Sequence, residues 1–265
     1  MNCYICGAAD AKQIFLNKNN LGLRKCLNCK VLFTYPRADE QAIKQFYSQK
    51  DYFKHWFEYY DVKKKTDLAR VEAISKYCAA PAKLLDFGCG PGIFIECAQE
   101  KKYEVYGVEY SDFAVEYCLK KKLNVQLLND FPLNFADNFF DAITVWHTLE
   151  HLENPKLVLT ELKRILKAGG LLVIEIPNYN GLLSRLRGNK ALPLIEHLFH
   201  FTEYSIRYLL ELLEFEIIFI THGNPGYTRK GLKVLIKKIF AKFGIFIHNI
   251  SDINCADTIL VYARK

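Results

Sequence analysis

The sequence lacks three features that would each indicate a particular class of protein. No apolar run reaches the roughly 18 residues of a membrane-spanning helix. Internal repeats and low-complexity tracts are also absent. The N-terminus has no basic stretch followed by an apolar run and a small-residue cleavage site, which is the pattern of a secretory signal. We therefore expect a cytoplasmic protein.

The composition is that of a folded globular protein. Of its 265 residues, 51% are hydrophobic and 25% are charged, which is ordinary for a soluble domain and argues against disorder. The formal net charge of +7 favours anionic partners such as phosphates, nucleic acid or an acidic membrane surface, without choosing among them. The length suits one substantial α/β domain with a small appendage.

Four of the nine cysteines form two closely spaced pairs. Cys3 and Cys6 make one Cys-x-x-Cys motif, and Cys26 and Cys29 make another after nineteen intervening residues. Two such pairs supply four thiolates, the ligand set of a tetrahedral zinc site. We predict a structural zinc knuckle over residues 1–36, with an iron site or a redox pair as the alternative. The other five cysteines occur singly, as core thiols do in a reducing compartment.

In the rest of the chain, the pattern of apolar residues changes once, near residue 80. Between residues 37 and 80, aromatic and apolar residues such as Trp56 and Tyr60 recur near helical spacing, which predicts a helical connector. Beyond it, short β-rich runs alternate with helical patterns, as in βαβ units with a parallel sheet. We therefore predict a Rossmann-like α/β domain over residues 81–265, with a seven-stranded, mostly parallel sheet and helices on both faces.

The individual elements of this domain follow from the same alternation. The predicted strands are Lys83–Phe87, Glu104–Val108, Val125–Leu128, Asp141–Val145, Leu171–Ile176, Phe215–Thr221 and Thr258–Ala263. The predicted helices are Gly92–Lys101, Ser111–Lys121, Pro155–Leu166 and Thr202–Glu214. Ser111 and Thr202 are predicted N-caps, and Gly169-Gly170 is a predicted helix stop.

A glycine-rich turn, the glycine loop of residues 86–92, follows the first predicted strand of this domain. Asp86 ends the strand, and Gly88, Gly90 and Gly92 lead into a helix, so that backbone can approach a ligand closely and helix N–H groups can face it. Such ligands bind at the first crossover of an open α/β sheet. The G-x-G-x-G spacing differs from the dinucleotide G-x-G-x-x-G, which argues against a dehydrogenase.

An acidic residue ends the second predicted strand. Glu109 lies seventeen residues beyond Gly92, where a carboxylate can accept hydrogen bonds from both hydroxyls of an adenosine ribose. The glycine loop and this acid together predict binding of an adenosine-containing ligand.

Residues 81–265 resemble the class I S-adenosylmethionine-dependent methyltransferases, most of all the ubiquinone-pathway and sugar-modifying branch. The blocks that carry the resemblance are the glycine loop, Glu109, Asn138–Thr144, the LEHxxxP segment Leu149–Pro155, and Gly169–Asn178. The resemblance implies S-adenosylmethionine as cofactor, with Asp86 and the glycines at its methionine end and Glu109 at its ribose. It also implies Asn129 and Asp130 at the adenine edge, with Phe131 stacked nearby.

Methyl transfer from a sulfonium is an in-line displacement, so a base is needed only if the acceptor must lose a proton. His147, Glu150 and His151 stand at i, i+3 and i+4 after the fourth strand, and we expect them to share one face toward the crevice. His147 is the first candidate for the base, and His151 is a further catalytic candidate. Two alternatives stay open: a divalent metal site, since ubiquinone-pathway O-methyltransferases look similar here with a glutamate in place of His147, or a structural brace formed by Glu150 and His151.

Two further places are candidates for the acceptor pocket. His197 and His200 precede the helix from Thr202, and a similar HxxHFT-like stretch lines the acceptor pocket in related methyltransferases; His200 is our third catalytic candidate. Packing within a loop is the alternative for this pair. Asn178 and Tyr179 follow the fifth strand, at the sheet edge where open α/β sheets place ligands, or they form a turn only.

A lysine-rich segment, residues 229–248, separates the last two predicted strands. At 100° per residue its apolar side chains fall on one arc and its lysines opposite, which predicts an amphipathic helix. Such a helix either lies on anionic lipid, giving peripheral contact with the inner face of the membrane, or packs on the domain with a solvated lysine face.

We predict a methyltransferase with a structural zinc knuckle, acting on a small-molecule or glycan acceptor: a sugar, a nucleotide-sugar or a lipid-linked glycan of surface-polysaccharide biosynthesis. An rRNA or tRNA methyltransferase is an alternative that the zinc knuckle and the net charge permit. A quinone-precursor O-methyltransferase is another. The non-enzymatic alternative is a cofactor-binding regulator without turnover.

Overall fold

A computed structural model of the protein describes residues 2–17, 20–37, 56–181, 184, 192–223 and 258–265. Within these residues the strands form two sheets, one of four strands and one of seven. The predicted amphipathic helix at 229–248 lies outside the described residues, as do residues 38–55 of the predicted connector.

The strands are, in chain order, β1 (Ala11–Leu16), β2 (Gly22–Cys26), β3 (Leu32–Tyr35), β4 (Lys83–Phe87), β5 (Glu104–Glu109), β6 (Val125–Leu127), β7 (Phe140–Trp146), β8 (Leu166–Pro177), β9 (Phe199–His200), β10 (Glu216–His222) and β11 (Thr258–Arg264). Within the described residues the helices are α1 (Tyr60–Ser75), α2 (Ile93–Glu100), α3 (Asp112–Lys120), α4 (Pro155–Ile165) and α5 (Glu203–Leu212), and a 3₁₀ turn lies at Leu149–His151.

The larger sheet has the strand order β10-β11-β8-β7-β4-β5-β6. Strands β4 to β8 pair with one another in parallel, and β11 runs antiparallel to both β8 and β10. The central strands are buried on both faces, as crossover helices require of a parallel sheet. This architecture confirms the predicted Rossmann-like, mostly parallel sheet.

Alternate residues of the central strands belong to two separate hydrophobic cores, because successive side chains of a strand point to opposite faces of the sheet. Leu84 and Val173 belong to the core under α1, α2 and α3. Leu85 and Ile174 belong to the core under α4 and α5. Helix α1 thus packs beside the nucleotide-type half of the fold, on the same face as the helix that follows the glycine loop.

The structure corrects a predicted helix stop and the start of the strand after it, although α4 itself ends within one residue of its predicted end at Leu166. The helix stop predicted at Gly169-Gly170 is wrong, because α4 ends at Ile165 and both glycines lie inside β8. Leu166 already pairs with Phe140 of the neighbouring strand, so β8 begins before its predicted start at Leu171 and includes both glycines. The glycine backbones are engaged by the chain end instead, with Gly169 N donating to the Lys265 carbonyl over 3.0 Å.

The two predicted N-caps have different outcomes. Thr202 caps α5 in a reciprocal pair with Ser205, each side chain accepting from the other residue's backbone amide. Ser111 occupies the N-cap position of α3 but its side chain makes no capping hydrogen bond. Its amide instead donates to Glu109 over 2.9 Å.

The N-terminal sheet extends across the predicted domain boundary at residue 36. Strands β1, β2 and β3 form an antiparallel meander, and β9 adds to it beside β3, with Leu32 opposite His200 and Phe33 opposite Phe199. The cysteine-paired segment is therefore joined by backbone pairing to a segment of the α/β domain.

The sheet topology places a crevice at the carboxyl ends of the central strands. From β4 the chain continues to β5 on one side, whereas β7 lies on the other side of β4. Ligands of open α/β sheets bind at such a switch point. Among the described residues, no helix has both the length and the apolar character needed to cross a bilayer.

Candidate functional site

A cavity of about 490 Å³ lies at this switch point. Its size is in the range of small-molecule sites. Its lining comprises Trp56, Phe87, Gly88, Gly90, Val108, Glu109, Tyr110, Leu128, Phe131, Trp146, His147, Thr148, His151, Leu152, Glu153, Asn154, Leu157 and Val158. One wall therefore comes from the glycine loop and β5, and the opposite wall from the segment that follows β7.

The glycine loop adopts the conformation that requires its glycines. Gly88, Gly90 and Gly92 have φ values of +79°, +52° and +78°, a region that side chains with a Cβ rarely enter. A Cβ on Gly88 would overlap the side chain of Thr148 across the cavity wall. A Cβ on Gly90 would instead project into nearly open space, with only Trp56 within 4 Å, at 3.9 Å. The loop thus presents bare backbone to the cavity at Gly90.

Asp86 lies beneath the glycine loop rather than in the cavity lining. Its side chain is buried and accepts a hydrogen bond from the Thr144 hydroxyl over 2.9 Å. Burial raises the pKa of this carboxyl to about 8. The geometry gives Asp86 a role in supporting the loop, and its predicted contact with the methionine end of a cofactor stays a prediction.

Glu109 lies across the loop and lines the cavity. Its carboxylate accepts hydrogen bonds from three backbone amides, those of Gly90 at 2.8 Å, Tyr110 at 2.8 Å and Ser111 at 2.9 Å. Burial raises its pKa, against the effect of these amides. The acid and the loop are therefore locked together at the position that the sequence predicts for a ribose.

The adenine-edge candidates divide into two groups. Phe131 and its neighbour Leu128 line the cavity, on the side of β5 and β6. Asn129 and Asp130 are exposed and outside the lining, and the Asp130 carboxylate accepts from the amide of Phe131 over 2.7 Å. The structure thus brings an apolar surface to this end of the cavity, while Asn129 and Asp130 flank it.

His147 occupies the opposite wall in an unusual backbone conformation. Its φ is +48°, a left-handed value that is uncommon for a residue other than glycine. Both ring nitrogens face carboxylates, Nε2 at 3.2 Å from Glu175 Oε1 and Nδ1 at 3.5 Å from Glu150 Oε1. Burial among protein atoms alone would lower the pKa of this ring, but the two glutamates raise it to about 9. The ring is 40% exposed, on the side that lines the cavity.

A buried chain of charges leads from His147 to helix α1. Glu175 Oε2 accepts from Arg70 Nη2 at 2.9 Å and Nε at 3.2 Å, and Arg70 Nη1 donates to Asp67 Oδ1 at 2.7 Å. The Arg70 guanidinium also lies over the ring of Trp146, 4.4 Å from its centroid. Helix α1, which sequence reasoning assigned only to a connector, therefore supports the cavity wall from behind.

His151 is held by a backbone carbonyl. Its Nδ1 lies 2.9 Å from the carbonyl oxygen of Glu196, which can only accept, so Nδ1 carries the proton of this hydrogen bond. Its Nε2 lies 3.8 Å from Glu150 Oε1. In the neutral ring, the hydrogen bond at Nδ1 therefore makes Nε2 the acceptor nitrogen.

Glu150 connects the two histidines. Its side chain is 2% exposed, and neither carboxylate oxygen makes a hydrogen bond within the described part of the chain. Burial would raise its pKa, but His147 and His151 lower it. A buried carboxylate with such partners is retained as an anion by the adjacent imidazoles.

The predicted set of metal-ligating residues is regrouped by the structure. Atoms of Glu150, His151 and His197 that could bind a cation lie within 4.8 Å of one another. His147, a member of the predicted trio, is outside this group because its two ring nitrogens face Glu150 and Glu175. Local spacing could not place His197, an acceptor-pocket candidate, in this set, because it lies 46 positions beyond His151 in the chain.

The remaining acceptor-pocket candidates lie away from the cavity lining. His200 is buried in β9, with Nε2 at 3.2 Å from Thr34 Oγ1, and burial lowers its pKa to about 3. Asn178 is buried, and the amide of Tyr179 donates to the carbonyl of Phe201 over 2.9 Å. None of these three residues belongs to the lining of the cavity, so a catalytic His200 has no geometric support here.

The four paired cysteines converge as predicted. Cys3 Sγ lies 3.5 Å from Cys29 Sγ, Cys6 Sγ lies 3.6 Å from Cys26 Sγ, and all four sulfur atoms lie within 4.8 Å of one another. Four sulfurs at about 2.3 Å from a zinc ion in a tetrahedron are about 3.8 Å apart. The donor set and its spacing therefore fit a structural zinc ion.

Several residues of the cavity lining were absent from the predicted site, among them Trp56, Trp146 and Thr148. Trp56 lies at the mouth above Gly90, and Trp146 and Thr148 flank His147. Trp146 and Thr148 border the predicted His147 at the carboxyl end of a central strand, which is the signal that could have identified them. Trp56 had no such signal, since it reaches the cavity from a segment before the α/β domain.

Comparison of the sequence with known protein families agrees with the geometry of the cavity. A family model described as a methyltransferase domain matches residues 52–219, more than half of the chain. The chain belongs to this methyltransferase family. The match begins within the predicted connector, four residues before Trp56, so the family region includes the aromatic residue at the cavity mouth.

Similar proteins include methyltransferases from several organisms. An uncharacterized methyltransferase of Schizosaccharomyces pombe is 36% identical over 112 residues, covering 36% of this chain and 40% of that protein. The ubiquinone biosynthesis O-methyltransferase of Azoarcus sp. is 29% identical over 119 residues, covering 42% of this chain and 51% of that protein. The chain spans about half the length of the curated relatives it matches.

A solved structure shares the fold. The S-adenosylmethionine-dependent methyltransferase of Archaeoglobus fulgidus superposes with a TM-score of 0.60 at 21% identity, covering 81% of this chain and 99% of that one. At this identity the likeness concerns the fold alone.

Proposed function

We propose that this protein is an S-adenosylmethionine-dependent methyltransferase that methylates a hydroxyl group of an aromatic, quinone-like small molecule. The observation that carries the proposal is the cavity itself, with the glycine loop and Glu109 on one wall and two histidines on the other. Family membership supports methyl transfer, and the cavity supplies both a cofactor half and an acceptor half.

The cofactor half fits S-adenosylmethionine. The bare backbone at Gly90 is a cradle that a side chain would fill, and Glu109 lies where ribose hydroxyls would donate to it. Leu128 and Phe131 would pack against the adenine. When bound, the cofactor supplies an electrophilic methyl group, and the wall formed by Trp146 and Leu152 limits the access of water to it.

The acceptor half supports an apolar, planar molecule. Trp146, Leu152, Leu157 and Val158 contribute ring and aliphatic surface to it, the kind of lining that buries a hydrophobic ligand. The name of the Azoarcus relative, a ubiquinone biosynthesis O-methyltransferase, points to the same class of acceptor. The sugar, nucleotide-sugar or lipid-linked glycan acceptor remains the alternative that the experiment below separates.

We assign the proton-accepting role to His151 rather than His147. Both nitrogens of His147 face carboxylates and its pKa is raised to about 9, so its ring is an imidazolium at neutral pH and cannot accept a further proton. His151 is protonated at Nδ1 by its bond to the Glu196 carbonyl, which leaves the lone pair on Nε2. Glu150, 3.8 Å from that nitrogen, would stabilise the imidazolium that forms.

The four-cysteine cluster of Cys3, Cys6, Cys26 and Cys29 would hold a structural zinc ion. Four thiolates complete a tetrahedron and leave no open position for chemistry. The cluster lies in the N-terminal sheet, and none of its sulfurs lines the cavity. The cluster would therefore affect the reaction indirectly, by stabilising the fold of the N-terminal sheet.

The acceptor class is tested by incubating the protein with methyl-labelled S-adenosylmethionine and, separately, a 4-alkylcatechol, a mixture of nucleotide-sugars, a lipid extract, and cellular RNA. We expect label in the catechol. Label in the nucleotide-sugars, in a lipid-linked glycan of the extract or in RNA would contradict the acceptor class and leave methyl transfer intact. Binding of the cofactor without transfer to any pool, including a lipid extract, would favour the regulator.

The base assignment is tested by comparing His151→Gln with His147→Gln. We expect His151→Gln to lower kcat on the catechol about 100-fold, the scale of general-base catalysis, with unchanged affinity for S-adenosylhomocysteine. His222→Gln is the matched control, because His222 lies on β10 and pairs with Glu203 away from the cavity. A His151→Gln enzyme with wild-type kcat would refute the assignment.

A further inference from the structure

The segment of residues 196–200, which we call the histidine strap, connects the candidate base to the N-terminal sheet. On its cavity side, the Glu196 carbonyl binds His151 Nδ1 at 2.9 Å, and the amide of Leu198 donates to the Glu150 carbonyl over 2.9 Å. The His197 ring packs edge-on against the His151 ring, with centroids 4.7 Å apart. The strap therefore contacts the turn that carries His151 at three consecutive positions.

On its other side the strap is bound by Thr34 of β3. The Thr34 amide donates to the Leu198 carbonyl over 3.0 Å, and its hydroxyl donates to the His197 carbonyl over 2.8 Å. The same hydroxyl oxygen lies 3.2 Å from His200 Nε2. Thr34 is completely buried, so these bonds have no competition from solvent.

The donor and acceptor capacities of the atoms involved determine the direction of these hydrogen bonds. A threonine hydroxyl has one proton, and a carbonyl can only accept, so that proton goes to His197. His200 Nε2 must then be the donor to the Thr34 oxygen. The result is an ordered relay, from the His200 ring through the Thr34 hydroxyl to the carbonyl of His197, which holds the strap at both of these residues.

The cysteine knuckle in turn fixes Thr34. Thr34 follows Phe33, whose ring packs against Tyr4 at 5.6 Å between centroids, and Tyr4 lies between the zinc-type ligands Cys3 and Cys6. Tyr4 also packs against Phe199 of the strap, at 6.0 Å. The knuckle and the strap are thus one packed unit.

We propose that Thr34 is a positioning residue for methyl transfer: its hydroxyl holds the histidine strap, and the strap holds the His151 ring in a single orientation and tautomer. The N-terminal knuckle then serves the reaction by bracing the acceptor wall, although it contributes no side chain to the cavity lining. This inference rests on the proposed role of His151, and its test separates the two.

The test compares Thr34→Val, which loses the hydroxyl, with Thr34→Ser, which keeps it. The main readout is the ring spectrum of His151 in protein labelled with ¹³C- and ¹⁵N-histidine, which reports tautomer and orientation without any acceptor. In Thr34→Val we expect the His151 ring signals to shift and broaden, with His147 signals and S-adenosylhomocysteine affinity unchanged. Thr34→Ser should restore the wild-type spectrum.

The activity readout uses the 4-alkylcatechol. We expect kcat to fall about 10-fold to 100-fold in Thr34→Val, as expected for a misplaced catalytic group, and to recover in Thr34→Ser. The matched control is Thr160→Val, whose hydroxyl also donates to a backbone carbonyl, that of Lys156, on the exposed side of α4. It should behave as wild type in both measurements.

Two results would overturn the proposal. One is a Thr34→Val protein with the wild-type His151 spectrum, and the other is a Thr34→Ser protein that behaves like Thr34→Val, since packing rather than the hydroxyl would then matter. A shifted His151 spectrum with unchanged kcat would retain the role of Thr34 in holding the strap and would reject His151 as the base.

Discussion

His147 is attached twice to Glu175. Its backbone amide donates to the Glu175 carbonyl over 2.8 Å, and its Nε2 lies 3.2 Å from the carboxylate of the same residue. The two attachments hold a left-handed backbone that histidine rarely adopts. They also hold the ring against a second carboxylate, that of Glu150, so that the cavity wall contains an imidazolium between two buried anions.

The first prediction concerns pH and stability. The pKa of His147 is raised from 6.5 to about 9 in the folded protein. Its stabilising effect is therefore complete below pH 6.5 and lost as the pH rises through about 9. We expect the free energy of unfolding to fall over this window by about 1 kcal/mol or less, because the ring is 40% exposed. Urea unfolding at several pH values measures it, and a His147→Gln protein with the same slope would contradict it.

The second prediction concerns Gly88. Gly88→Ala puts a methyl group into the Thr148 side chain and keeps φ at +79°. Gly169→Ala is the matched control, because Gly169 has φ of +70° with nothing within 4 Å of its added Cβ. We expect Gly88→Ala to lower the free energy of unfolding by about 1–3 kcal/mol more than the control, the cost of overpacking. Equal losses would show that Thr148 moves aside freely.

The third prediction concerns cofactor affinity. Glu109→Gln keeps the size of the side chain and removes the charge that ribose hydroxyls would bind. We expect the Kd for S-adenosylhomocysteine to rise about 10-fold to 100-fold, the value of one or two charge-assisted hydrogen bonds. Calorimetry measures it, with Glu104→Gln at the start of β5 as control. An unchanged Kd would remove Glu109 from the ribose site.

The fourth prediction concerns metal. We expect purified protein to contain about one equivalent of zinc, and removal of it by a chelator, or Cys29→Ser, to increase amide exchange in β3 and β9 together. Cys97→Ser is the control, because Cys97 is equally buried but outside the cluster. Iron in place of zinc would support the alternative, and metal-free wild-type protein with a protected β3 would contradict the prediction.

Much of the fold follows from local sequence. Strand β4 begins and ends at the predicted residues, and helices α2 and α3 lie within one residue of prediction at each end. Their signals are short-range, because apolar alternation and glycine placement act within a few positions. The start of β8 was mispredicted at Leu171 rather than Leu166, because the pairing of Leu166 with Phe140 is a contact between distant segments.

The candidate site likewise contains residues that the local sequence predicts and residues that it does not. The glycine loop, Glu109 and His147 lie at ends of strands, where the sheet edge itself predicts a ligand. Trp56, Arg70 and Thr34 come from elsewhere in the chain, and their roles depend on which segments the tertiary fold brings together. The periodicities of helices and strands, about 3.6 and 2 residues, contain no information about contacts between distant segments.

The pairing of β3 with β9 also has a consequence for the order of folding. Thr34 and His200 are 166 positions apart in the chain, so the bonds between them close a loop that contains the whole of β4 to β8. Closing so long a loop costs chain entropy that is recovered only after both ends are in place. During synthesis the N-terminal meander must wait for β4 to β8 of the α/β domain to emerge before its fourth strand exists. We therefore expect the first three strands to be able to bind zinc early, and the acceptor wall to be completed as one of the last steps of folding.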